Sequence, residues 1–344
     1  MRYLVTGGSG FIGSNLVLNI LNNGFEVTIL DFENFPKSPV PSAIKFIKGD
    51  VRSIEDVRRA LIGIDIVIHA AAALPLQKDE DIHSVNADGT RILLEESYKK
   101  GIKTFVFLSS IYAYGIPQRV PLTEDHPLIS RDAYSGSKKI AEQYCEIYRK
   151  KDMKIPILRL PTVIGAERLG AFQILFEWIM AGRRVPIIGS GTNRHQFLSV
   201  DDAIRAILFV AASSDIRVND TFNIGAKEFG TIRGDLEALC SFANSGSKIF
   251  PLPAFPVKVA LRFFDKVGLS PLHHWIYETA DIDFFGSIDK IEKLGWSPQK
   301  SNKEILIDAF QWYREHKDTL RMSSGKGNRS LWNQGVLGIV KKFF

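Results

Sequence analysis

Cysteine is scarce in this chain. Its 344 residues hold two, Cys145 and Cys240, which excludes a disulfide framework and fits a reducing compartment. No run of 18 uncharged apolar residues occurs, so no segment is expected to span a bilayer. No leader precedes the first strand-like run at Arg2, so no signal peptide is expected and the chain reads as cytoplasmic. The pair His273-His274 lacks a Cys/Asp/Glu cluster at metal-ligand spacing, so no metal is expected. A large excess of one sign of charge is absent too: 44 Lys and Arg against 38 Asp and Glu leave +6. That excess suits an anionic small molecule such as a diphosphate and is too diffuse for nucleic acid. No internal repeat is visible. With 45% hydrophobic and 24% charged residues the composition is that of a soluble globular protein. The length allows one large domain or two lobes.

The most informative stretch is the first. Tyr3-Leu4-Val5-Thr6 runs into glycines at 7, 10 and 13, and an amphipathic segment follows. A strand feeding a helix through Gly7, Gly10 and Gly13, with Phe11 and Ile12 at the helix start, is where a diphosphate can be held. The glycines admit the backbone, and the helix N-terminus offers free N–H groups and positive potential. Asp31 ends the next apolar run, 18 residues after Gly13. A carboxylate there accepts from ribose hydroxyls and repels a 2′-phosphate, which favours NAD over NADP.

Short β-rich runs then alternate with helical patterns. Strands are expected at Arg2–Thr6, Glu26–Leu30, Ala43–Lys48, Asp65–Ala70, Thr104–Ser109 and Ile155–Leu160, with helices near 11–23, 53–61, 81–100 and 133–151. The strand cores are continuous Val, Ile and Phe, as when helices cover both faces. The expected fold is α/β: a Rossmann-type doubly wound parallel sheet with a smaller mixed α/β substrate-binding lobe. The expected division is 1–165 for the cofactor domain, with later segments near 195–225 returning to it, and 166–322 mainly for the substrate lobe. Residues 323–344 form a separate tail. In it Trp332, Val336, Val340 and Phe344 recur every fourth residue beside Arg329, Lys341 and Lys342. This pattern fits a basic amphipathic helix on an anionic membrane face, or a helix docked on its own protein.

A second cluster carries the chemistry. Tyr134 and Lys138 are four apart, so a helix puts them on one face. An ammonium near the phenol, with an oxidised nicotinamide, is expected to favour phenolate and make Tyr134 a base. Ser110 ends the fifth strand, where it can hydrogen-bond the reacting oxygen. His69 is expected to be a satisfied core histidine.

Thr6-Gly7-x-x-Gly10-Phe11-Ile12-Gly13, Gly49-Asp50-Val51 and Tyr134-x-x-x-Lys138 together resemble the extended short-chain dehydrogenase/reductase family, and within it the NAD-dependent sugar epimerase/dehydratase branch. The resemblance runs from Met1 to about Trp312. It implies that Asp50 and Val51 meet the adenine, and that Ala70, Ala71 and Ala72 pass close to the cofactor. It gives Asn86 a structural and cofactor-side role in a helix, and places Pro161 and Val163 by the cofactor. Ser110, Tyr134 and Lys138 become the catalytic set, with Tyr134 and Lys138 also touching NAD. Arg194, in Arg194-x-x-Phe197-x-x-Val200-x-Asp202, would grip the substrate phosphate.

Two positions depart from the pattern. The branch's dehydratases carry acids directly after the catalytic hydroxyl, whereas Ile111 and Tyr112 stand here, which disfavours elimination. Thr162 stands at a substrate-side position where sugar-nucleotide epimerases usually carry Asn. The resemblance thus implies an epimerase of a diphosphate-linked sugar, at C4, on a nucleoside or polyprenyl carrier. The alternatives are a dehydrogenase of a sterol-like alcohol and an NAD-binding scaffold with a dead site. It also implies a homodimer paired through the helices near 81–100 and 133–151.

Overall fold

The computed structural model describes residues 1–36, 41–75, 77–168, 171–266 and 274–320. Its first half runs β1 Arg2–Thr6, α1 Phe11–Asn22, β2 Glu26–Asp31, β3 Ile44–Lys48, α2 Ile54–Ala60, β4 Ile66–His69, α3 Asp79–His83, α4 Gly89–Lys99, β5 Thr104–Ser110 and α5 Ala133–Arg149. The second half runs β6 Ile157–Leu160, β7 Thr162–Ile164, α6 Ala171–Met180, β8 Val185–Ile188, β9 Phe197–Ser199, α7 Val200–Ala212, β10 Thr221–Asn223, α8 Ile232–Ala243, β11 Ile249–Leu252, α9 Ala254–Lys266, α10 His274–Thr279, α11 Asp289–Glu292 and α12 Asn302–His316.

Seven strands form one parallel sheet in the order β10-β6-β5-β4-β1-β2-β3. Strand residues alternate between two cores, which is why the strands read as unbroken apolar runs. Tyr3, Val5, Ile29, Ile68, Val106 and Leu158 face α1 and α7. Leu4, Leu30, Val67, Phe105, Phe107 and Ile157 face α2, α4 and α5. The order reverses between β1 and β4, and there the loops leaving the two strands open a crevice at the carboxyl edge.

Several expected boundaries shift, three of them with consequences. The sixth strand starts at Ile157 rather than Ile155, because Pro156 between them has no N–H to donate to a ladder. The fourth ends at His69, and Ala70 begins the loop. The expected helix over 81–100 is two helices joined by a π-helical turn, Ser84–Asp88. That turn aims Asn86 inward. Its amide accepts from the Ala73 N–H at 2.7 Å and donates to the Ala73 carbonyl and to Ser137 Oγ, both at 3.1 Å. The π-helical turn takes in one more residue than a regular helical turn, which shifts the face that Asn86 presents.

The remaining elements build on the sheet's carboxyl edge. Two small parallel ladders pair β7 with β9 and β8 with β11. A third core gathers Ile174, Phe176, Trp178, Leu239, Leu306 and Phe310 from α6, α8 and α12. No described helix is long and apolar enough to cross a membrane. The tail expected to be amphipathic and His273 lie outside the described residues.

Candidate active site

The glycine loop is shaped by contact as much as by conformation. Gly7 has φ +68°, and a Cβ there would stand 2.6 Å from the Ala71 backbone. A Cβ on Gly13 would stand 2.0 Å from the Gly7 carbonyl oxygen. The loop can therefore fold back on the start of α1 only with both glycines in place. Gly10 occupies the cap position of α1 without a side-chain hydrogen bond, and no acid stands in the first turn. The terminal N–H groups of α1 thus have no side-chain acceptor of their own. Asp31 ends β2 with its carboxylate accepting from Ser9 N–H at 2.9 Å and Glu33 N–H at 3.0 Å. It fixes the loop and keeps lone pairs for further donors. Ala70, Ala71 and Ala72 line the opposite lip as half-buried small residues. This cradle fits a dinucleotide diphosphate and ribose. Val51 lies buried against Gly89, and the Asp50 carboxylate holds the Arg52 guanidinium at 2.6–3.0 Å. Pro161 and Val163 are buried at the end of β6 and on β7.

On the far side of the crevice, β5 and α5 bring the second cluster together. Ser110 ends β5, buried, its hydroxyl accepting from the Tyr112 N–H at 3.2 Å. Helix α5 begins at Asp132, whose carboxylate accepts from the Ser135 N–H at 2.7 Å in a capping box. Tyr134 follows in the first turn and Lys138 one turn later. Ser110 is the neighbour that favours the ionised form of the Tyr134 phenol. Lys138 Nζ donates to the Leu108 carbonyl at 2.9 Å and lies 6.0 Å from the Tyr134 ring centroid.

The protein's own groups favour the neutral phenol. Burial pushes Tyr134 up to about 12, with Ser110 acting against it and Tyr112 and Asp132 acting with it. The Lys138 amine, buried and turned to Leu108, is itself pushed down to about 8 by burial. Desolvation is the largest cause at both groups, because each needs its charge stabilised where little water remains.

Thr162 meets the site through Tyr112, whose phenol lies 2.8 Å from Thr162 Oγ1. The Tyr112 ring stacks on Phe284 at 5.2 Å and meets Trp275 edge-on at 5.0 Å. Arg194 stands farther out. Its backbone N–H and Nη2 hold the Asp283 carboxylate at 2.7 and 2.8 Å, and its guanidinium lies 4.4 Å from the Phe285 centroid. It is therefore already paired, at the surface, with its remaining donors open. No cluster able to hold a metal exists among the described residues.

Sequence reading missed two features. One is a buried ion pair behind the site: Glu142, one turn after Lys138, takes Arg159 Nη2 at 2.6 Å, and Arg159 Nη1 donates to Tyr114 Oη at 2.6 Å. The i, i+4, i+8 series Tyr134, Lys138, Glu142 could have signalled it. The other is the aromatic wall of Tyr112, Trp275 and Phe284, whose members lie far apart in sequence and gave no local signal.

The model of the NAD dependent epimerase/dehydratase family matches residues 3–225. The protein y4nG of Sinorhizobium fredii, itself uncharacterised, is 36% identical over 98% of this chain and 85% of its own. A UDP-glucose 4-epimerase of Lactobacillus helveticus is 29% identical over 92% of this chain and 98% of its own. Among solved structures, the UDP-glucose 4-epimerase of Thermotoga maritima with UDP-glucose superposes with a TM-score of 0.77 at 25% identity, covering 92% of this chain and all of that one.

Proposed function

The chain belongs to the NAD dependent epimerase/dehydratase family, and from that premise we propose that it epimerises a diphosphate-linked sugar, at C4, through a transient keto sugar. The cofactor is NAD. Gly7, Gly10, Gly13 and the start of α1 at Phe11 and Ile12 would hold its diphosphate, and Asp31 its ribose. Val51, Asp50, Ala70–Ala72, Pro161 and Val163 would line the rest of its length. When bound, oxidised NAD supplies a hydride acceptor that can return the hydride, together with a positive charge.

The observation that carries the reading is the meeting of Ser110, at the carboxyl edge of β5, with Tyr134 and Lys138 one turn apart on α5. Tyr134 takes the proton of the substrate hydroxyl and returns it after inversion. Ser110 holds the same oxygen in line with the phenol. Lys138 braces the phenol from behind and holds β5 through Leu108. The Ile111-Tyr112 pair offers no carboxylate for elimination, which leaves inversion rather than dehydration. Arg194 and Thr162 face the substrate, and 166–322 form most of the lobe that closes on it. Tyr98 and Ile147 are exposed on the outer faces of α4 and α5, which supports a homodimer across those helices.

A Tyr134→Phe variant is expected to lose at least about a hundredfold in turnover while keeping its NAD affinity. With sugar substrate the wild type should invert it without accumulating NADH. Steady NADH accumulation with a hydrophobic alcohol would favour the dehydrogenase instead. Unchanged cellular function of Tyr134→Phe would favour the scaffold.

One observation favours a lipid carrier over a nucleoside. Phe255, Val259 and Phe263 repeat every fourth residue along α9 and are 79%, 47% and 63% exposed. Helix α9 packs on α10, whose Trp275 meets Tyr112 beside the site. An apolar stripe at the cleft's rim is suited to an acyl-chain surface, and 321–344 carries five of the chain's six net positive charges. On this reading the protein is cytoplasmic and peripheral at the inner membrane face. Phe255→Asp with Phe263→Asp should then release it from phosphatidylglycerol vesicles in a sedimentation assay. Equal sedimentation would return the carrier to a nucleoside.

A further inference from the structure

Arg168 follows β7 after Glu167, which has a left-handed φ of 65°. Its N–H closes a turn on the Gly165 carbonyl at 3.1 Å. The turn carries the guanidinium inward, 5.6 Å from the Phe11 ring centroid and 6.0 Å from that of Phe172. Its Nε is buried and meets no hydrogen-bond partner. No ion pair to this side chain is formed among the described residues.

Other arginines of the region are matched. Arg159 has Glu142, Arg194 has Asp283 and Arg205 has Asp202. Among the described residues, Arg168 has two aromatic faces and no carboxylate. Burial pushes it down to about 10, with Tyr112 acting in the opposite direction. Aromatic faces steady a cation without neutralising it. A guanidinium whose Nε is buried and unbonded, with no counter-charge among the described residues, is costly to keep, and its fork of donors matches phosphoryl oxygens.

The flanking residues locate what it would meet. Phe11 is the first residue of α1, at the end that carries no side-chain cap. Tyr112 is bonded to Thr162 and lies two residues after Ser110. The guanidinium thus stands by the first residue of the cofactor's helix, and the Tyr112 phenol acts on it electrostatically from the substrate side. We propose that Arg168 is an anion-binding residue that takes a phosphoryl oxygen of a diphosphate, supplied by the cofactor or by the substrate. This rests on the reading of the crevice given above.

Arg168→Met and Arg168→Lys test it in two titrations followed by calorimetry. NAD⁺ is titrated into the cofactor-free protein, and inorganic diphosphate into the NAD⁺-loaded protein, where the cofactor's own site is filled. The methionine variant should melt no lower than the wild type. It should lose roughly tenfold or more in one titration, with lysine recovering part. The titration that weakens identifies which diphosphate Arg168 serves. Affinities within about twofold of wild type in both titrations overturn the role of Arg168, and a lower melting temperature with both affinities intact does the same. Wild-type protein that takes up no NAD⁺ would instead sink the reading of the crevice.

Discussion

His69 ends β4 between two hydroxyls, with Thr6 Oγ1 2.6 Å from Nδ1 and Thr90 Oγ1 2.9 Å from Nε2. The Thr90 hydroxyl donates its proton to the Asn86 carbonyl, so it must accept from His69 Nε2–H, and Nδ1 must accept from Thr6. The neutral ring therefore belongs to a relay that continues through the Asn86 amide to Ser137 Oγ and the Tyr134 carbonyl. Burial, and then the charge of Lys138, hold His69 down at about 3. Burial likewise holds His195 at about 4. The unfolded chain binds protons at these groups near the ordinary histidine value, so it holds more of them between there and the folded values. Stability must fall as pH drops through that window. For His69 the loss by pH 4 should be roughly 2–3 kcal/mol. Urea unfolding at pH 7 and pH 4 should show it, and a His69→Gln variant should flatten the slope. A wild-type midpoint that does not move would contradict the buried neutral ring.

At the scale of one element, α5 carries most of the proposed chemistry and is pinned at its start and at its middle. The Asp132 cap fixes the turn that holds Tyr134, and Glu142 fixes the turn after Lys138 to Arg159 on β6. Removing the cap in Asp132→Ala should cost about 1 kcal/mol. Because Tyr134 sits in that first turn, kcat should fall while NAD affinity holds. Removing the carboxylate in Glu142→Ala leaves the Arg159 guanidinium buried without its partner, and should cost about 3–5 kcal/mol. Denaturant midpoints of the two variants would rank them, with Glu142→Ala lower. The reverse ranking would mean that the buried pair contributes little. The π-helical turn between α3 and α4 matters for a similar reason: it lets Asn86 tie the Ala73 loop to Ser137 on α5.

Across the whole molecule, the two halves of the chain are not separable. β10 closes the sheet beside β6, and α7 covers the face shared with α1. Leu198, Ala203, Ile204, Ile207, Val210, Phe222 and Trp296 all belong to the core that buries Val5, Ile29 and Ile68. A fragment ending at residue 165 would expose that face. It should express as an aggregate or melt without a cooperative transition, whereas 1–320 should melt in one sharp step by circular dichroism. Cooperative melting of the shorter fragment would show that the returning segments are dispensable.

The glycine turn, Asp31, the alternating strands and Tyr134-x-x-x-Lys138 were legible in the sequence because local rules govern them: backbone freedom, side-chain period and helix spacing each act over a few residues. The parallel sheet followed from the same patterns. Only the tertiary structure decided how the charges stand. It turned Lys138 to Leu108, paired Arg194 with Asp283 and Glu142 with Arg159, and left Arg168 between two rings. Those outcomes depend on desolvation and on partners brought in from distant segments, and neither is encoded within any one stretch of chain.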